Sequence, residues 1–590
     1  MSAVARSLSV ALLVLALPPL LPAQHPSPAS WVPSVRDLVG AGASSELRAA
    51  VERYDADRDA LRRRFDAEGS TERYEAFRSF DQRWLGELER VDFDRLGLQG
   101  KIDYTLLANF LRRDLAWLER DQRRFDETRG QLPFAATILS LHDQRRDLQP
   151  VEASALGRTL ADLTRSVDSI RRLIVDSAAR RPTRIVALRA AEHLGDLARV
   201  LDRWYGFHAG YDPVFTWWAK QPYETSKAAI ERYRTTLRET VVGVKPGEDE
   251  PIVGDPIGRE ALVQDLAFEM IPYGPEDLLA IAEREFAWCE AEMRKAAREM
   301  GFGDDWRAAL EKVKTLHVEP GLQPQLVRDL AFEAIDFVEQ RGLVTVPPLA
   351  KSVWRMEMMS PERQKESPFF LGGETILVSF PTDAMAEADK QMSMRGNNVH
   401  FSRATVFHEL IPGHHLQGFM GARYQPHRQL FGTPFWTEGW ALYWEMLLWD
   451  LGFHRSPEDR VGALFWRSHR AARIIFSLKF HLGEMTPDQA IDLLVNRVGH
   501  ERANATAEVR RSFNGSYPPL YQLAYMMGGL QFRALHRELV GSGRMTDREF
   551  HDAVLQSGRM PVEMVRAALT GQAPTRGYRP TWRFDQGRRR

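Results

Sequence analysis

Tyr74-Glu75-Ala76-Phe77-Arg78-Ser79-Phe80-Asp81-Gln82-Arg83-Trp84-Leu85 sets the fold class. Its apolar residues return every three or four positions, with Arg, Asp and Glu between them. That is the pattern of a helix with one buried face. The same period runs from about residue 35 to residue 242. Pro, Gly and acidic residues break it between Gly243 and Gly258, which reads as a loop and a boundary. Helices resume from Arg259 to about Met300 and from Asp304 to about Val313. Residues 343–382 differ. Leu343-Val344-Thr345-Val346 and Glu374-Thr375-Ile376-Leu377-Val378-Ser379-Phe380 are short, rich in β-branched residues and bounded by Pro or Gly, so two strands are expected there. After Arg403 the helical period returns and holds to about Leu569. The expected fold is mainly α with a small β-sheet.

The organisation follows from these breaks. Residues 35–242 form an N-terminal helical region and 259–570 the region carrying the chemistry, together two lobes of one large domain. Residues 571–590 are read as a tail. At the other end Arg6 precedes an apolar run from Leu8 to Leu21, then Pro22-Ala23-Gln24. A positive start, a short apolar stretch and a small residue before a polar segment read as a cleavable export signal over 1–23. A Pro- and Ser-rich mobile leader over 24–34 follows. The expected location is secreted or periplasmic, with no stable membrane insertion after cleavage.

The chain has 590 residues, 79 Lys plus Arg against 80 Asp plus Glu, and one cysteine. The balanced charge gives no reason to expect nucleic acid as a partner. Cys289 alone can form no intramolecular disulfide, and its place in a helical stretch reads as core filling. The oligomeric state is not legible.

The chemistry centres on Phe407-His408-Glu409-Leu410-Ile411-Pro412-Gly413-His414-His415-Leu416-Gln417. Zinc hydrolases use imidazole and carboxylate ligands with a further carboxylate as base, and His-Glu-x-x-His supplies two ligands and the base from one helix. Here Pro412 stands where the second His would be. His414 is six residues past His408, about 240° round a regular helix and on the wrong face. Pro412 cannot donate to the His408 carbonyl, and Gly413 tolerates unusual backbone angles. A local bulge is therefore expected to return His414 to the metal. His415, seven residues past His408, is the competing ligand. The third ligand is expected from Phe435-Trp436-Thr437-Glu438-Gly439-Trp440-Ala441-Leu442-Tyr443-Trp444-Glu445. Glu438 falls 24 residues after His414, on a second helix that Gly439 lets approach closely. The aromatic residues around it would keep the site dry. Glu445, two turns on, is read as a carboxylate that orients a ligand imidazole.

His-Glu-x-x-Pro-Gly-His-His-Leu-Gln followed by Glu-Gly-Trp-Ala resembles the bacterial domain-of-unknown-function family 885, itself similar to gluzincin-type zinc peptidases. Gly254 to Ala261, Leu278 to Gly301 and Arg544 to His551 also resemble its recurring segments. The resemblance implies a large helical metallopeptidase-like fold with the small sheet near the active site. In the wider clan, Taq-type carboxypeptidases and thimet-type oligopeptidases carry His-Glu-x-Gly-His-Ala-Leu. Alignment with Gly413-His414-His415-Leu416 implies His414 as the ligand. Dipeptidyl peptidase III relatives accept one extra residue in the same helix. The implied set is zinc on His408, His414 and Glu438, with Glu409 as general base. Those clans place a Tyr or His at the oxyanion. Pro519-Leu520-Tyr521-Gln522-Leu523-Ala524-Tyr525 resembles a family segment and implies Tyr525 there, with Tyr517 and Tyr521 as alternatives. Arg510 is a candidate anchor for a substrate carboxylate. The reaction implied is hydrolysis of peptide bonds, with short peptides as substrates. A non-catalytic zinc-binding protein and a zinc amidase acting on other small amides are the competing readings.

Overall fold

The computed structural model describes residues 45–585 apart from Asp249 and Pro368. The expected signal and leader lie outside the described residues. Helix dominates, and the only named strands among those residues are β1 (Arg355–Met358) and β2 (Thr375–Val378), paired in parallel. The fold is mainly α.

The stretch that set the expectation is the helix Thr71–Glu89. Ser70 starts it by accepting a hydrogen bond from the Arg73 N–H, the usual way to satisfy a free donor at a helix start. Tyr74, Phe77, Asp81 and Leu88 are its buried face. Phe80 and Trp84 close on Tyr54 at 5.4 and 5.5 Å between ring centres. The buried Asp81 accepts the Tyr54 hydroxyl at 2.8 Å.

The N-terminal region divides between two cores. Residues from Leu47 to Leu111 share a core with Trp436, Trp440 and Trp444 of the later half. Residues from Phe125 to Val242 bury one another in a core of their own. A buried ionic junction ties the first group down. Asp103 accepts hydrogen bonds from Arg428 Nε and His427 Nε2, both at 2.8 Å. Arg428 also reaches Ser557 and Gln99, each at 2.7 Å.

In the later half, the helix Pro457–His481 is buried along almost its whole length and packs on Pro275–Glu299, where Cys289 is fully buried. Phe584, near the end of the described chain, is buried beside Tyr273 at 4.9 Å. Residues 571–585 thus run along the body. Among the described residues no helix is long and apolar enough to cross a membrane.

One expected strand is absent. Residues 343–346 have no strand partner. Their polar backbone is taken up by side chains of the helix Asp547–Gln556 instead. His551 donates to the Leu343 carbonyl at 2.7 Å, and Asp552 accepts the Thr345 N–H at 2.9 Å. The second expected strand, 374–380, contains β2. Its partner β1 carries Arg355, Glu357 and two Met rather than a β-branched run.

Candidate metal centre

The helix carrying the motif runs Val399–Glu409 and stops. A new helix starts at His414 and ends at Gly421. The expected bulge is therefore a complete break, with a cis Ile411-Pro412 peptide inside it. Gly413 has φ −79°, so a left-handed backbone is not what requires glycine. Close approach is: a Cβ there would overlap the His408 carbonyl oxygen and stand 2.5 Å from its carbon. The Gly413 N–H donates to Phe407 O at 3.0 Å. Trp440 Nε1 donates to the Pro412 carbonyl at 2.9 Å, and Gln417 Nε2 donates to Trp436 O at 2.9 Å. The Trp-rich helix Pro434–Asp450 thereby holds both sides of the break.

The break turns the two imidazoles onto one point. The His408 and His414 rings stand perpendicular, 4.8 Å between centres. Glu438 Oε2 lies 3.2 Å from His414 Nε2 and 3.7 Å from His408 Nε2. That oxygen is buried and has no well-formed hydrogen bond. Bonds of about 2.0–2.2 Å at tetrahedral angles would set ligand atoms about 3.3–3.5 Å apart, close to these spacings. Donor type, separation and the orphaned oxygen all fit zinc. Glu409 also reaches the group, since one ligand atom each from His408, Glu409 and His414 fall within 4.8 Å of one another. Glu438 fits the ligand role better, because its free oxygen sits close to both Nε2 atoms.

Neighbouring side chains fix these atoms. His408 Nδ1 donates to Glu445 Oε1 at 2.6 Å, which leaves Nε2 free to face the cluster. Arg470 donates to the same carboxylate at 3.3 Å. Tyr521 donates to Glu438 Oε1, leaving Oε2 to the cluster. Burial opposes ionisation of Glu438, but His414 and His408 hold its carboxyl well below the usual value. Burial likewise resists charge on His408, yet Glu438 and Glu445 lift it to about 9. Burial pushes Glu409 above the ordinary carboxylate value.

The site opens into a cavity of about 360 Å³. Glu409, Thr405, Trp466, Tyr517, Tyr521, Tyr525 and the segment Phe369 to Gly373 all line it. Gly372 abuts Glu409: a Cβ there would meet Glu409 Oε2 and stand 2.6 Å from its Cα. The helix Tyr521–Leu539 presses against Pro434–Asp450, where a Cβ on Gly439 would lie 2.5 Å from Gly528 Cα. Gly439 therefore serves contact with the tyrosine helix rather than with the motif helix.

Tyr525 stacks over His408 at 6.2 Å between ring centres, and its hydroxyl is uncommitted among the described residues. Burial keeps it protonated, so at neutral pH it carries an O–H that can donate. Tyr521 is engaged by Glu438, and the Tyr517 ring packs tilted against Tyr521 with centres 4.2 Å apart. His415 turns away: its Nε2 donates to the Ala350 carbonyl at 2.8 Å. Arg510 does not line this cavity. It donates to the Glu250 carbonyl and lines a separate cavity of about 1230 Å³. The arginines facing the cavity beside the cluster are Arg470, Arg473, Arg511 and Arg559, none singled out by local sequence.

The family described as "Bacterial protein of unknown function (DUF885)" matches residues 52–569. A comparison with curated proteins finds no match. A candidate lipoprotein of unknown function from Shewanella oneidensis superposes with a TM-score of 0.65 at 20% identity, over 90% of this chain and 100% of its own. A candidate lipoprotein from Colwellia psychrerythraea gives 0.55 at 16% identity, over 85% and 91%. At such identities the likeness is one of fold.

Proposed function

The chain belongs to the DUF885 family, and we propose that it is a zinc-dependent peptidase hydrolysing amide bonds of short peptides. One observation carries the reading. The orphaned Glu438 Oε2 faces the Nε2 atoms of His408 and His414 beside a cavity lined by Glu409. A purely structural site has no need of that extra carboxylate. The centre would be held by His408, His414 and Glu438. When bound, zinc supplies Lewis acidity at the scissile carbonyl and makes water nucleophilic near neutral pH.

The chain's own residues do the rest. Glu409, lining the cavity beside the cluster, takes a proton from the attacking water and delivers it to the leaving amine. The Tyr525 hydroxyl donates to the oxygen that gains charge during attack. Glu445 keeps His408 in one tautomer, and Tyr521 keeps one Glu438 oxygen directed at the cluster. A cavity of about 360 Å³ suits a few residues of extended peptide rather than a folded chain. The export signal expected from the sequence, together with lipoprotein descriptions of both neighbours, supports an envelope or extracellular location.

The test is turnover of a mixed short-peptide library by the zinc-loaded chain beside Glu409→Gln. The expected result is cleavage by the parent and a loss of at least about 100-fold in the variant, with zinc retained by both. Equal rates in the two proteins would remove Glu409 from the mechanism. Cleavage of non-peptide amides alone would replace the peptidase by an amidase.

A further inference from the structure

Three of the four arginines in the metal cavity are answered by carboxylates. Arg470 meets Glu445 at 3.3 Å. Arg473 and Arg511 grip the two oxygens of Glu508 at 2.7 and 2.8 Å. Arg559 has no such partner. Among the described residues it forms no ion pair and no hydrogen bond, and its Nε is buried without an acceptor. It is only partly exposed, and burial works against its charge. A guanidinium nonetheless stays protonated. Of the four, Arg559 alone therefore presents the cavity with a positive charge that no carboxylate of the fold contacts.

Its chemistry and position limit what can answer it. The planar fork of a guanidinium matches a carboxylate through two parallel hydrogen bonds. Arg559 lies across the far end of the second motif helix, where its Nε would stand 3.5 Å from a Cβ on Gly421. Gly421 is seven residues past His414 on that helix, about 10 Å along its axis. An extended peptide advances about 3.3–3.6 Å per residue, so this span corresponds to about three residues at most.

We propose that Arg559 anchors the free C-terminal carboxylate of the substrate, making the enzyme a carboxypeptidase that cuts within about three residues of the chain end. This rests on the peptidase reading. An acidic substrate side chain offers the same carboxylate, and the experiment separates the two.

The experiment is calorimetric binding to the zinc-loaded Glu409→Gln chain, which holds peptides without turning them over. The probes are trialanine, trialanine amide and Ala-Ala-Glu amide. Trialanine is expected to bind at least about tenfold tighter than its amide, in line with a charged hydrogen bond. Adding Arg559→Gln should reduce that ratio to within about twofold, and Arg559→Lys should keep part of it. Unchanged melting of the Arg559 variants shows that folding is intact. Equal binding of acid and amide, or a preference that survives Arg559→Gln, overturns the proposal. So does absence of binding by all three probes. Ala-Ala-Glu amide binding as tightly as trialanine, dependent on Arg559, would assign the arginine to an acidic side chain instead. Arg559-dependent binding without cleavage by the parent would sink the peptidase reading and leave the anchor standing.

Discussion

Gly439→Ala probes how the third ligand is held. The new Cβ would sit 2.5 Å from Gly528 Cα, about 1 Å closer than ordinary van der Waals contact. The obstruction is backbone on a neighbouring helix, so no side chain can swing away. The helices Pro434–Asp450 and Tyr521–Leu539 must separate by about 1 Å, and overpacking of this kind costs about 1–3 kcal/mol. Glu438 is the preceding residue and moves with the helix. Metal–ligand distances tolerate only about ±0.2 Å. Zinc affinity should therefore fall by about 10- to 100-fold, the range seen when ligand positioning is disturbed. Stability is read by chemical denaturation of the chelated protein, and affinity by competition with a chromophoric chelator. Gly418→Ala is the control. A Cβ there meets nothing within 4 Å, and replacing a helical glycine should stabilise by roughly 0.5–1 kcal/mol. Parent-like stability and zinc affinity in Gly439→Ala would refute the claim that this close approach sets the position of Glu438.

Two further outcomes follow. Glu445→Gln keeps the shape of the partner to His408 but removes its charge, and should weaken zinc by about 10- to 100-fold while the fold persists; unchanged affinity would make the 2.6 Å contact incidental. Burial opposes ionisation of Asp103, yet hydrogen bonds from His427 and the charge of Arg428 hold its carboxyl below the ordinary value. A lowered carboxylate stabilises the fold above its unfolded value, about pH 3.9, and loses that contribution as pH falls through the folded one. Asp103→Asn should then cost about 3–5 kcal/mol at neutral pH by stranding Arg428, and should flatten the stability loss below about pH 4. A parent-like acid profile would point to other groups.

The helical fold class was legible because periodic stretches such as Tyr74 to Leu85 bury the face their pattern marks. The strand at 343–346 was misread because its composition says nothing of His551 and Asp552, which take its backbone groups from far along the chain. At the site, the candidate ligands His408, His414 and Glu438 could be named from spacing and family resemblance, and the structure brings them together. How Pro412 and Gly413 redirect the chain was only half visible. A break and a bulge look alike in sequence, and Gly413 serves close packing rather than a special φ. The anchoring of Glu438 by Tyr521 joins residues 83 apart. The same holds for Gly372 against Glu409 and for the arginines of the cavity wall, since no local motif encodes such contacts. Arg510 carried a plausible charge but faces the wrong cavity, one position away from Arg511, which faces the right one.

Zinc content of the purified full chain, measured by mass spectrometry beside His414→Ala and His415→Ala, tests the proposed centre most directly. The account predicts one zinc per chain in the parent and in His415→Ala, and loss of most of it in His414→Ala. Zinc retained by His414→Ala, or a folded parent that binds none, would contradict it.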